Sequence, residues 1–197
     1  MSGSTGRVCR VAVVGLAVGL AGCSALSGTA PLDTYDFTTP SVPAAVRPAG
    51  PQVLVADPIA DRALDSERMM VRSSTNGVAN YAGAQWADRL PRLVQARLVA
   101  VLEASGRVRA AVRPGQGVAA DRQVLVDIRR FEYRPAEQRV LIELAVKAMD
   151  DRSGRIVAGA VLDGEEPVVS DDARTVAAAF DAALGRVLVA AVPVVTR

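Results

Sequence analysis

Residues 123–133, QVLVDIRRFEY, and residues 139–149, RVLIELAVKAM, decide the fold. Both runs are rich in β-branched and aromatic side chains, and Pro135, Ala136 and Glu137 break them, so together they predict a long antiparallel hairpin. In the second run Val140, Ile142, Leu144, Val146 and Ala148 share one face, while Glu143 and Lys147 lie on the other. That period of two describes a strand with one side in a core and the other at least partly wet. Downstream, residues 150–154 (DDRSG) form a turn and residues 155–162 a third strand, which completes a meander. Ser170, Asp171 and Asp172 then offer an N-cap and first-turn acids to a helix. One face of it carries Val176, Phe180, Ala183, Leu184, Val187 and Leu188, and it runs to about Ala191, before Pro193.

Upstream of the hairpin, residues 52–56 (QVLVA) read as a short buried strand ended by Asp57 and Pro58. Residues 67–73 and 77–81 flank Ser74, Thr75, Asn76 and Gly77, the composition of a hairpin turn. From Trp86 onward, apolar residues at 86, 90, 93, 94, 98, 101 and 102 follow one helix face, with Pro91 in a Pro-tolerant first turn and Ser105 and Gly106 as the stop. Strands, helix, three strands, helix is the order of an α+β fold. The expectation is a two-layer sandwich with a mostly antiparallel sheet and two helices packed on one face.

The chain has 197 residues, half of them hydrophobic and 22% charged, enough for one packed core. Basic and acidic residues number 23 and 21, so no charge excess exists to neutralise a run of phosphates, and nucleic acid is not an expected partner. There is no histidine and only two cysteines, Cys9 and Cys23. This leaves little for a metal site of imidazole or thiolate and nothing for a Ser/His/Asp or Cys/His triad; no catalytic, metal-ligating or cofactor-binding residue is assigned.

Residues 1–10 carry Arg7 and Arg10 and no acid, and residues 11–20 (VAVVGLAVGL) are apolar without a charge, the n-region and h-region of a secretory signal. Leu20, Ala21, Gly22 and Cys23 follow, and LAGC resembles the lipobox of bacterial lipoproteins. The resemblance implies cleavage between Gly22 and Cys23, a diacylglycerol on the Cys23 thiol and an acyl chain on its new amine. Several chains together anchor a protein stably where one would be marginal. Ser24, rather than Asp, after the cysteine implies sorting to the outer membrane. The alternative is an uncleaved membrane helix, since residues 11–32 hold no charge, but SALSGTAPL in its second half is small, polar and Pro-containing.

Residues 1–22 are thus read as signal peptide, 23–50 as lipidated N-terminus and tether, and 51–197 as the folded domain. The tether is rich in Ser, Thr, Pro, Gly and Ala. Within it Thr34, Tyr35, Asp36 and Phe37 form an alternating patch, read as a strand or clip packing on its own domain in preference to a docking segment.

The lipobox, the Tyr35 and Phe37 patch, QVLVADP, and residues 72–87 around Gln85, Trp86 and Ala87 follow one another in a family's order. So do the helix ending LEASG, the strand DIRRFEY and the terminal TVAAAFDAALGRVL. Taken together they resemble the ABC-type transport auxiliary lipoproteins, the PqiC-like proteins that accompany MCE-type lipid transporters of Gram-negative bacteria. The resemblance implies a non-enzymatic outer-membrane lipoprotein facing the periplasm. Its partners would be an MCE-domain periplasmic protein and an ABC permease and ATPase, for lipid or organic solvent transport, with homo-oligomers left open. The ATPase would be a separate chain, and GxxxxGK[ST] does not occur here. A lipid-carrying domain, with helices and sheet parting around an acyl chain, is the alternative.

Four features are weighed for sharper roles. Gly115, Gln116 and Gly117 read as a turn rather than a phosphate loop. Asp163, Glu165, Glu166, Asp171 and Asp172 read as solvated or capping acids rather than calcium ligands or a glycosidase pair. Asp127, Arg129 and Arg130 read as a wet sheet face before a partner-facing stripe, and Trp86, placed at the start of a helix, as a core plug.

Overall fold

The computed structural model describes residues 31–42 and 50–197. In chain order the strands are β1 (Asp33–Tyr35), β2 (Gln52–Val55), β3 (Ile59–Ala60), β4 (Arg68–Arg72), β5 (Val78–Trp86), β6 (Ala110–Val112), β7 (Arg122–Arg134), β8 (Arg139–Asp150) and β9 (Ile156–Pro167). The helices are α1 (Leu90–Ser105) and α2 (Ala173–Thr196). All nine strands belong to one sheet.

The long hairpin forms as expected, β7 pairing antiparallel with β8 from Arg122 opposite Asp150 to Arg134 opposite Arg139, and β9 completes the meander. The single-turn 3-10 helix Pro135–Glu137 closes the hairpin, with Gln138 in the left-handed region at φ 47°. β9 extends to Pro167, five residues beyond the expected end at 162.

The expected mostly antiparallel sheet is corrected: β1–β5, β2–β6, β2–β7, β3–β7 and β4–β7 pair parallel, and only β4–β5, β7–β8 and β8–β9 antiparallel. The segment from β2 to β4 runs alongside β7 in one direction, with Val53 opposite Arg122, Ile59 opposite Asp127 and Val71 opposite Tyr133. Hydrophobic periodicity carries no strand direction. The direction is set by connectivity, since α1 lies between these strands and β7 and provides the long connection that parallel pairing needs.

Trp86 is the last residue of β5 and does not begin the helix, which starts at Leu90 with Pro91 in its first turn. The helix stops as expected, at Ser105, with Gly106 left-handed at φ 61°. Asp172 caps α2, its side chain accepting the Thr175 backbone N–H at 2.9 Å. α2 does not stop before Pro193 but continues to Thr196. Pro193 has no N–H to give the Val189 carbonyl, and the burial that Val194 and Val195 gain by staying helical offsets that lost bond.

The helices pack against each other and share one hydrophobic cluster with a single sheet face. Its centre is aromatic: Phe37, Trp86, Phe131 and Phe180 lie in a chain of contacts, with Trp86 5.4 Å from Phe180 and the Phe131 and Phe180 rings stacked at 4.8 Å. Gly164 in β9 faces α2 so closely that an added Cβ would stand 2.6 Å from Val187 Cγ2 and 2.9 Å from the Ala183 carbonyl, so this crossing requires glycine. By length and composition α2 could cross a membrane, yet its apolar side faces this core.

The clip at residues 34–37 packs on its own domain. β1 adds to β5 in parallel, Phe37 is buried in the aromatic cluster, and Thr38 donates from its N–H (2.7 Å) and hydroxyl (2.6 Å) to Asp181. The expected tether of 23–50 therefore contains a docked stretch from Asp33 onward, because burial of Phe37 outweighs the freedom lost in ordering a short segment.

Candidate functional site

The sheet face turned away from the helices carries charged side chains among Leu125, Leu141, Ala145 and Val161, and a bulge shapes it. Ile128 pairs with Leu144 but Arg130 with Glu143, which leaves Arg129 as an extra residue on β7. The bulge reverses the alternation: Val124, Val126 and Ile128 face the core before it, Phe131 and Tyr133 after it. Asp127, Arg129 and Arg130, expected to share a wet stripe, do come together there. Arg129 lies 3.3 Å from Asp127 and 3.7 Å from Glu143, and Arg130 3.6 Å from Glu143.

Two residues further on, Glu132 is the most deeply placed charge of this face, its side chain 4% exposed. Arg72 holds Oε2 through Nε and Nη2, both at 3.0 Å, and Arg134 holds Oε1 through Nε and Nη2, both at 2.8 Å. Arg134 Nη1 reaches Glu137 at 2.9 Å, and the bonds from Glu137 and Glu132 raise the Arg134 pKa above its ordinary value. Charge-assisted pairing on both carboxylate oxygens offsets the cost of burying Glu132 and fixes the two guanidiniums in place. Neither Glu132 nor Arg134 was singled out from sequence. The available signal was Glu132 and Arg134 two apart on one strand face.

At the neighbouring sheet end Tyr81 donates its hydroxyl to Asp171 at 3.0 Å, joining β5 to the segment before α2. Burial, then the bond to Asp171, pushes the Tyr81 pKa up to about 12, and burial and the Asp171 charge raise Tyr133 as well. The protonated phenol is the form the fold favours, so its contribution is complete below the unfolded pKa near 10 and is lost as pH rises toward 12. A spectrophotometric titration at 295 nm should show the Tyr81 tyrosinate forming near pH 12, and Tyr81→Phe should take one tyrosinate out of the high-pH amplitude. A Tyr81→Phe titration identical to wild type would contradict the assignment.

Of the other acids, all but the exposed Asp163 are engaged. Glu165 pairs with Arg139 at 2.9 Å, Glu166 with Arg186 at 2.5 Å, and Asp172 caps α2. Asp163 faces Glu143 across the ladder. Among the described residues no group of three His, Cys, Asp or Glu is placed to hold a metal ion. Gly115 and Gly117 have φ of 84° and 67° in a turn after β6, with the Gln116 side chain accepting the Arg113 N–H, and strand rather than helix follows. Trp86 is 1% exposed, a core residue as expected. Gly22 and Cys23 lie outside the described residues.

The second notable feature is an edge. β9 pairs with β8 on one side, and among the described residues nothing pairs with the other. Residues 156–162 (IVAGAVL) hold no charge, and Ile156, Val157 and Val161 are 50%, 52% and 49% exposed. Sheets ordinarily blunt such edges with charge, proline or a bulge. Here β9 has one bulge at Val157, where Ala148 pairs with Ala158 but Met149 with Ile156, and its acids begin only at Asp163.

Three comparisons with known proteins bear on this arrangement. The model of the family described as ABC-type transport auxiliary lipoprotein component matches residues 35–192. The protein bll6063 of Bradyrhizobium diazoefficiens is 33% identical over 156 residues, 78% of this chain, and the chain spans 42% of that relative's length. The crystal structure of protein XCC0632 from Xanthomonas campestris superposes with a TM-score of 0.73 at 32% identity, covering 81% of this chain and 92% of that one. A second crystal structure, of an uncharacterized protein, shares the fold at TM-score 0.65 and 15% identity over 83% and 97% of the two chains.

Proposed function

Because the chain belongs to the ABC-type transport auxiliary lipoprotein family, we propose that it is a lipid-anchored, non-enzymatic adaptor of an envelope lipid transport system. In this reading Gly22–Cys23 is the cleavage site, acylated Cys23 holds the domain to the periplasmic side of the outer membrane, and the partners are an MCE-domain protein with its ABC permease and ATPase. The observation that carries it is the bare β9 edge. A charge-free, half-exposed row of valines and isoleucine on an unpaired strand is a surface for strand addition, in which main-chain bonds give affinity and alternate side chains give specificity. The carrier alternative needs apolar space between helices and sheet, and Phe37, Trp86, Phe131 and Phe180 fill the centre of that layer.

A photo-crosslinking residue placed at Val157 or Val161 should capture the MCE-domain protein in intact cells, and one at the exposed Glu103 of α1 should not. Capture at Glu103 in place of Val157 and Val161, or adducts at β9 only with a second copy of this chain, would overturn the docking assignment.

A further inference from the structure

The open side of β9 is complementary to itself. Val168 donates its N–H to the Gln138 carbonyl, so the even-numbered residues of β9 next to it turn their main chain toward β8, while Gly159, Val161 and Asp163 turn theirs outward. This stretch is bounded at both ends. The bulge at Val157 interrupts it on one side, and on the other Arg186 Nη2 already donates to the Glu165 carbonyl.

Two unmatched charges of opposite sign flank the stretch on the sheet face away from the helices. Asp163 is exposed and stands opposite Glu143, which Arg129 and Arg130 already take, so two acids face each other across the ladder. Like charges so placed are destabilising, and among the described residues Asp163 has no cation of its own. Lys147, the one lysine of the chain, is exposed and also makes no ion pair among the described residues. Asp57 and Asp127 line a small groove with it but are engaged by Gln95 and Arg129. Lys147 stands opposite Gly159, where an added Cβ would lie 3.5 Å from Lys147 Cγ, so the lysine stem runs beside the glycine.

A second copy of the chain, laid antiparallel on β9 about a two-fold axis at Val161, answers each of these features. Gly159 of one copy then pairs with Asp163 of the other, and Val161 with Val161, all with main-chain groups already turned outward. The half-exposed Val161 side chains meet on the axis. Across Gly159, which puts no side chain in the way, Asp163 of one copy faces Lys147 of the other at two strand spacings, roughly 10 Å between Cα atoms. An aspartate and an extended lysine close that gap, and the two-fold axis makes the ion pair twice. The pairing ends before the bulge on each side.

We propose that two copies of this chain pair antiparallel through residues 159–163 of β9, and that this covers the edge until a partner strand replaces it. The proposal rests on the reading of β9 as a strand-adding edge and names what that edge holds when the transport partner is absent.

The test uses full-length protein in detergent. Light scattering should give the mass of two chains. Val161→Cys should oxidise to a disulfide-linked dimer while Glu103→Cys on α1 should not, since paired Cα atoms about 5.5 Å apart suit a disulfide. Lys147→Glu and Asp163→Lys should each raise the dissociation constant about tenfold, and the double variant should return it to near the wild-type value. A monomer overturns the proposal, as does a dimer that Val161→Cys fails to trap. So does a dimer indifferent to both single variants, the behaviour of two lipid anchors sharing a micelle. Photo-crosslinking at Val161 in cells judges the docking reading separately: a monomer that still captures the MCE-domain protein sinks only the self-pairing, and a dimer without that capture sinks only the docking.

Discussion

Trp86→Ala is expected to destabilise the domain by about 3–5 kcal/mol, the range for removing a buried aromatic side chain. Trp86 is 1% exposed and touches Phe37, Phe131 and Phe180, so its removal opens a cavity where β1's trailing segment, β7 and α2 converge. Edge-to-face geometry at 82–84° with two of those rings adds to what area alone gives. Against a typical total of about 5–15 kcal/mol this is a large fraction. For a domain of this size it corresponds to a fall in Tm of roughly 10 °C. Trp86→Phe should recover more than half of the loss. Thermal unfolding followed by circular dichroism checks both, and a fall of under about 2 °C for the alanine variant would show that the ring is not the core plug described.

Glu132→Ala should be the costliest change on the sheet face away from the helices, at about 3 kcal/mol, the low end for breaking a buried ion pair. It sits at the low end because Arg72 and Arg134 keep 29% and 30% exposure and regain some hydration. Glu132→Gln should be no milder in kind: its amide nitrogen would face guanidinium N–H groups, donor against donor, at the position of one carboxylate oxygen. Substituting the exposed Glu137, which meets only Arg134, should change stability by less than about 1 kcal/mol. Denaturant titrations separate the cases. A loss below about 1 kcal/mol for Glu132→Ala would mean that the two arginines are not organised by it.

What the sequence made legible was local. Alternation gave β7 and β8 almost to the residue, Gly106 gave the end of α1, and Asp172 gave the start of α2, because each rests on nearest-neighbour chemistry. The Tyr35 and Phe37 patch stood out because aromatic residues are rare in this chain. What stayed hidden depended on distant partners. The parallel course of β2, β3 and β4 along β7 leaves no periodic mark on any of them. The bulge at Arg129 is one extra residue in a run that still reads as a strand, so the switch of the buried positions from Ile128 to Phe131 could not be anticipated. Arg72 reads as an ordinary strand-end arginine until β4 is laid beside β7 and Glu132 comes within 3.0 Å. Pro193 illustrates the opposite error, a strong local stop signal overruled by burial of Val194 and Val195.

The proposed role assigns partner docking to the unpaired β9 edge and membrane attachment to the acylated Cys23. The most direct test is to recover tagged full-length protein from detergent-solubilised membranes and identify what accompanies it, with Cys23→Ala as the control. The account predicts an MCE-domain protein and an ABC permease with the wild type, together with loss of both and of outer-membrane fractionation in the variant. Wild-type protein that fractionates with the outer membrane but brings neither partner would contradict the adaptor assignment.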